Sequence, residues 1–83
     1  TMKVTEIKEM PNNRVMIVST NENKMNEIEF DLMKNTHLFT LEILAFYLGF
    51  DVNTEFTTNE LWFKLIGKDD EVIQRAINAN PFM

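Results

Sequence analysis

Apolar and polar positions keep two different rhythms along this chain. From Asn26 to Leu32 they alternate: Ile28, Phe30 and Leu32 fall on one side, Glu27, Glu29 and Asp31 on the other. A period of two is that of a half-exposed β-strand. Upstream, Val15-Met16-Ile17-Val18 is a continuous apolar run rich in β-branched residues. That pattern predicts a buried strand over residues 14–20. Val4 and Ile7 give residues 3–9 a weaker apolar character, and a further strand is placed there. Between these two lies Met10-Pro11-Asn12-Asn13. Proline presets φ for a turn and asparagine tolerates the left-handed region, so the connection reads as a hairpin. Asn21-Glu22-Asn23 is the second turn signal. The result is an antiparallel meander over about residues 3–33, apolar on one face and in need of helical cover.

Downstream the rhythm becomes helical. Leu38 to Phe50 holds a single charged residue, Glu42. As a helix over about 38–48 it is apolar almost all round, and such a helix must be buried on most sides, by its own domain or by another protein. Gly49 supplies the left-handed residue that ends it. A second helix is predicted over about 58–66. Thr57-Thr58-Asn59-Glu60 fits a capping box with Thr57 as N-cap, and Phe56 with Leu61 fits the hydrophobic staple around it. Leu61, Trp62, Leu65 and Ile66 form its apolar stripe, and Gly67 ends it. A third helix, about 70–79, opens on Asp69-Asp70-Glu71, whose carboxylates complement the helix dipole. It turns Val72, Ile73, Ala76 and Ile77 inward and closes at Asn80-Pro81. The order predicts one small α+β domain over residues 1–83: a three-stranded antiparallel β-meander followed by three short α-helices.

Charge narrows the function. The net charge is −5, and it is uneven: residues 1–40 carry five Lys/Arg against six Asp/Glu, residues 41–83 three against seven. The helical half thus lacks the cationic cluster that displaces counterions from phosphates, so direct nucleic-acid binding is disfavoured. Anionic membranes are disfavoured for the same reason. The absence of cysteine excludes disulfides and thiolate zinc sites. The N-terminal residues lack the basic-then-apolar order of a signal peptide, and the run 38–50 is shorter than the roughly 20 residues that span a bilayer. The expectation is a cytoplasmic protein. Abundant Asn, Lys, Ile, Met, Phe and Glu, with scarce Ala, Gly and Pro, is the usage of AT-rich coding sequence. Bacteriophages, mobile elements and AT-rich bacteria share it.

Motifs for chemistry are thin. His37 is the only histidine and Ser19 the only serine, and nothing local joins them to an acid in a proton relay. Glu27, Glu29 and Asp31 could form a carboxylate row, but the alternation already explains them as the wet face of a strand, where they would also discourage edge-to-edge pairing. Asp51-Val52-Asn53-Thr54-Glu55 begins like a calcium loop, yet Phe56 and Trp62 stand where that loop needs Gly and Glu. Asn80-Pro81-Phe82 matches the NPF tripeptide bound by endocytic adaptor domains. A helix stop followed by an apolar residue that tucks against the core explains it without an adaptor. No catalytic residue, metal ion or cofactor is expected.

Binding is the expected role. Phe46, Tyr47, Phe50, Phe56, Trp62 and Phe63 crowd one stretch, and neighbours such as Trp62 and Phe63 point about 100° apart on a helix. A domain this small cannot hide every ring. Tyr47, Trp62 and Phe63 are the expected partner anchors, with Glu55 and Glu60 steering the approach. The chain reads as a small acidic regulator or inhibitor from a phage or mobile element. It would occlude a protein partner that is basic or itself nucleic-acid-binding. Two alternatives stand beside this. One is a nucleic-acid-binding regulator with a degenerate helix-turn-helix in 40–79, although its connection at 51–56 exceeds the usual three or four residues and Asp69-Asp70-Glu71 would meet phosphates. The other is a homo-oligomeric structural subunit, a homodimer through residues 41–50.

Overall fold

The computed structural model describes residues 1–51 and 58–82. Among them, the elements run β1 (Lys3–Met10), β2 (Arg14–Thr20), β3 (Met25–Asp31), α1 (Thr36–Leu48), α2 (Thr58–Phe63) and α3 (Asp70–Ala79). The sheet order is β1-β2-β3 and both pairings are antiparallel. The α+β fold with a three-stranded meander ahead of short helices is therefore present.

Asparagine and aspartate make the turns. Asn12 and Asn13 both adopt left-handed backbone, with φ of 63° and 58°, a region asparagine enters more readily than other side chains. Asn21 Oδ1 accepts from the N–H groups of Asn23 (3.2 Å) and Lys24 (3.0 Å) and so closes the second turn. Asp31 Oδ1 accepts from Met33 N–H at 2.9 Å, which ends β3.

A bulge explains the weak pattern of β1. Val4 pairs with Ser19 but Glu6 pairs with Val18, which leaves Thr5 as the extra residue. Val4 and Ile7 are three apart and would face opposite sides of a regular strand. The bulge resets the alternation, and both are buried. They share the inward face with Val15 and Ile17 of β2 and Phe30 of β3, and the helices pack there.

Leu41 and Leu44 of α1, Leu61, Trp62 and Leu65 from α2 and the turn after it, and Ile73 and Ala76 of α3 complete this core. Ile28, Leu32, Leu48, Val72 and Ile77 pack around it half-buried. The link between α2 and α3 also covers the outer edge of β1. Gly67 N–H donates to Val4 O and Val4 N–H to Lys68 O, both at 2.8 Å, and Asp70 N–H donates to Met2 O at 2.9 Å. Gly67 makes this approach with φ of 88°, a backbone that favours glycine.

Two helix boundaries differ from those predicted. α1 begins at Thr36, where Asn35 O accepts from the Leu38 and Phe39 N–H groups. α2 stops at Phe63, after which Lys64, Leu65 and Ile66 bond to carbonyls three residues back, a tighter winding than the α-helix. Gly49 caps α1 in the left-handed region as expected, its N–H on Ala45 O at 2.8 Å. The capping box at Thr57 and the staple at Phe56 lie outside the described residues. Among the described residues no helix is long and apolar enough to cross a membrane.

Candidate functional site

The apolar residues of α1 are spread evenly around its axis, yet its burial is one-sided. His37, Thr40, Leu41, Leu44 and Ala45 are buried, at the spacing of one helical face. On the opposite arc Phe39 is 40% exposed and Phe46 85%, and at its two flanks Leu38 is 40% and Tyr47 48% exposed. Glu42 lies among them. The helix thus turns a histidine and a threonine inward and leaves aromatic rings outside, the reverse of the usual sorting.

Buried polar groups hold this orientation. Asn80, at the end of α3, donates from Nδ2 to Thr36 O (2.8 Å) and to Thr40 Oγ1 (3.0 Å). Thr40 Oγ1 donates in turn to Thr36 O at 3.1 Å. Asn80 Oδ1 accepts from Phe82 N–H at 2.9 Å, so the same side chain fixes the turn that follows α3. His37 Nδ1 lies in hydrogen-bond contact with the Lys34 carbonyl. Each of these groups satisfies another, so the polar side of α1 can stay buried without a large desolvation penalty.

The turn at Asn80 delivers Phe82 to the outside of α1. Its ring meets Phe39 with centroids 4.8 Å apart. A shallow cleft of about 190 Å³ lies there, lined by Asn35, Thr36, Phe39 and Phe82. Further along the helix, Phe46 and Tyr47 meet edge-on at 5.9 Å. The surface is therefore a ridge of rings along α1 with a cleft at its N-terminal end.

The expected anchors are divided by the fold. Tyr47 belongs to the ridge. Phe63 is 42% exposed at the end of α2, and Glu60 is exposed on the same helix. Glu55 lies outside the described residues. Trp62 corrects the expectation: it is fully buried, with its ring stacked on Phe30 at 4.8 Å and 29°. Of two neighbouring rings on one helix, the one above Phe30 enters the core and the other faces out. Ile66 also departs from its predicted inward position and is exposed, because α2 has already ended and the chain winds differently there. Phe82 packs on Phe39 rather than in the core, and Asn80 of the NPF tripeptide is buried and hydrogen-bonded within the fold. Leu38, Phe39 and Phe46 were not among the expected anchors. Their signal was present, since placing Leu41, Leu44 and Leu48 inward puts Phe39 and Phe46 on the opposite arc.

The remaining candidates are scattered. Ser19 is buried in β2 on the inward face, and its Oγ has no hydrogen-bond partner among the described residues. Asp70 is buried at the start of α3, with Asn26 Nδ2 at 3.4 and 3.5 Å from its two carboxylate oxygens. Glu29 pairs with Arg14 at 3.3 Å on the outer face of the sheet. The Lys3 ammonium, 2.5 Å from Asp69, holds that carboxyl below its ordinary value. Among the described residues no cluster of three or more His, Asp or Glu could hold a metal ion. Comparison with protein-family models, curated proteins and solved structures returns no match.

Proposed function

We propose that this is a small acidic regulator that binds a partner protein through the outward arc of α1 and acts by covering the partner's working surface. The observation behind this reading is Phe46, 85% exposed near the C-terminal end of an exposed surface that also carries Leu38, Phe39 and Tyr47. Single exposed apolar residues are ordinary, but two pairs of exposed rings on one helix, Phe39 with Phe82 and Phe46 with Tyr47, are more than scatter. Aromatic side chains are also the usual anchors of protein interfaces. The net charge of −5 would steer the approach toward a basic partner. On this reading the protein is a cytoplasmic accessory factor of a phage or mobile element, and its role rests on binding, with no catalytic step.

The test is a pull-down from host lysate with wild-type protein, Phe46→Ser, Tyr47→Ser and Phe63→Ser, each checked by thermal melting. The expected result is one partner retained by wild type and lost by the two α1 variants, with all melts alike. Retention by both α1 variants would move the interface elsewhere.

A further inference from the structure

Resting on that reading, we propose that the occupant of the α1 ridge is a helix of another protein, with a lysine or arginine on its flank placed to pair with Glu42.

The shape of the ridge selects a helix. Phe39 and Phe46 are seven positions apart, two turns along one line of the helix, and Ile43 between them is half-buried against the core. A repeat of seven is the spacing at which one helix packs lengthwise against another. The exposed side chains of Leu38 and Tyr47 widen this seam. The Phe39–Phe82 contact closes its N-terminal end, where the cleft of about 190 Å³ gives one side chain of the partner a seat.

Charge selects the partner. Glu42 is the one charged residue between Leu38 and Phe50, and it stands one turn before Phe46 on the same exposed arc. A helix laid on the ridge covers it. Removing a carboxylate from water is unfavourable unless a cation and hydrogen bonds replace the lost solvation. A flanking lysine or arginine supplies both. A second copy of this chain does not: antiparallel pairing about the middle of the seam sets Glu42 against its own copy, and each chain carries −5.

The experiment uses two fluorescent amphipathic helical peptides, one of leucine and lysine, the other with glutamate at the lysine positions. Binding is read by anisotropy. The lysine peptide should bind wild type at least about tenfold more tightly than the glutamate peptide. Phe46→Ser should abolish binding. Glu42→Lys should weaken the lysine peptide about tenfold, whereas Glu27→Lys should weaken it less than about threefold. Glu27→Lys makes the same change in net charge on the helix-free face of the sheet, so it separates a local contact from overall attraction. Equal effects of the two charge reversals would overturn the pairing with Glu42. The α1 interface would survive that result if Phe46→Ser still abolished binding, and would fall with it if Phe46→Ser bound normally. Failure of wild type to bind the lysine peptide would also overturn the inference. Sedimentation would then identify a second copy as the occupant if wild type dimerised and Phe46→Ser did not.

Discussion

Trp62 stacks on Phe30 with ring centroids 4.8 Å apart, and this contact joins the shortest helix to an edge strand of the sheet. The indole is fully buried, and its Nε1–H has no hydrogen-bond partner among the described residues. Trp62→Ala should cost about 3–5 kcal/mol, as aromatic deletions in cores do. Trp62→Phe should cost much less, because it keeps a ring on Phe30 and removes a donor that no described residue satisfies. Urea melts of the two variants would test this order. Acrylamide should barely quench the native tryptophan.

Leu44 and Phe46, two positions apart on α1, should respond in opposite ways. Leu44 is fully buried and Phe46 is mostly exposed. Leu44→Ala should cost roughly 2–5 kcal/mol, while Phe46→Ala should stay within about 0.5 kcal/mol of wild type. Denaturant midpoints at matched slopes would show the difference. A large loss for Phe46→Ala would mean that its ring is packed within the fold.

Asn80→Ala should loosen the junction of α3 with α1. It removes two donated bonds, to Thr36 O and Thr40 Oγ1, and the acceptor for Phe82 N–H. The expected loss is about 1–3 kcal/mol, the range for leaving buried polar groups unmatched. Hydrogen exchange should quicken in the first turn of α1 and near Phe82 before it changes in the sheet.

The Lys3–Asp69 pair should make stability fall in acid. The hydrogen bond from Lys3 and its charge depress the folded-state value of Asp69 below the ordinary 3.8. The carboxylate therefore contributes fully above the unfolded value, and its contribution is lost as pH falls through the lower folded value. Both side chains are substantially exposed, so the effect should be small and weaken with salt. Wild type and Lys3→Met should differ in melting temperature at neutral pH and converge in strong acid.

Elements were legible where one periodicity prevailed. The alternation around Ile28 and Phe30 marked β3, and the spacing of Val72, Ile73, Ala76 and Ile77 with its acidic entry marked α3 over Asp70–Ala79. β1 was fainter because the bulge at Thr5 breaks its alternation, and a bulge is set by pairing with β2 rather than by local composition. For α1 the leucine spacing placed Leu41, Leu44 and Leu48 inward, and they are buried or packed on the core, but with apolar side chains all round the helix it gave no sign that His37 and Thr40 would join them. The partner of Thr40 is Asn80, forty residues away. The rings of Trp62 and Phe63 posed the same problem on a smaller scale. Phe30, on a different element, decides which of them is core.

The pairing of Val4 with Gly67 and Lys68 has a consequence for synthesis on the ribosome. The meander can zip as soon as residues through Asp31 are available, because its bonds join strands that follow one another. The outer edge of β1 must wait for a segment more than sixty residues downstream. Until it arrives, a nascent chain presents the open edge of β1 beside an apolar face that still lacks α3, the features that invite pairing with other chains. β1 thus emerges before β2 and β3 but has its outer edge protected after both have paired. The charged side chains Lys3, Glu6, Lys8 and Glu9 along it would keep that interval soluble.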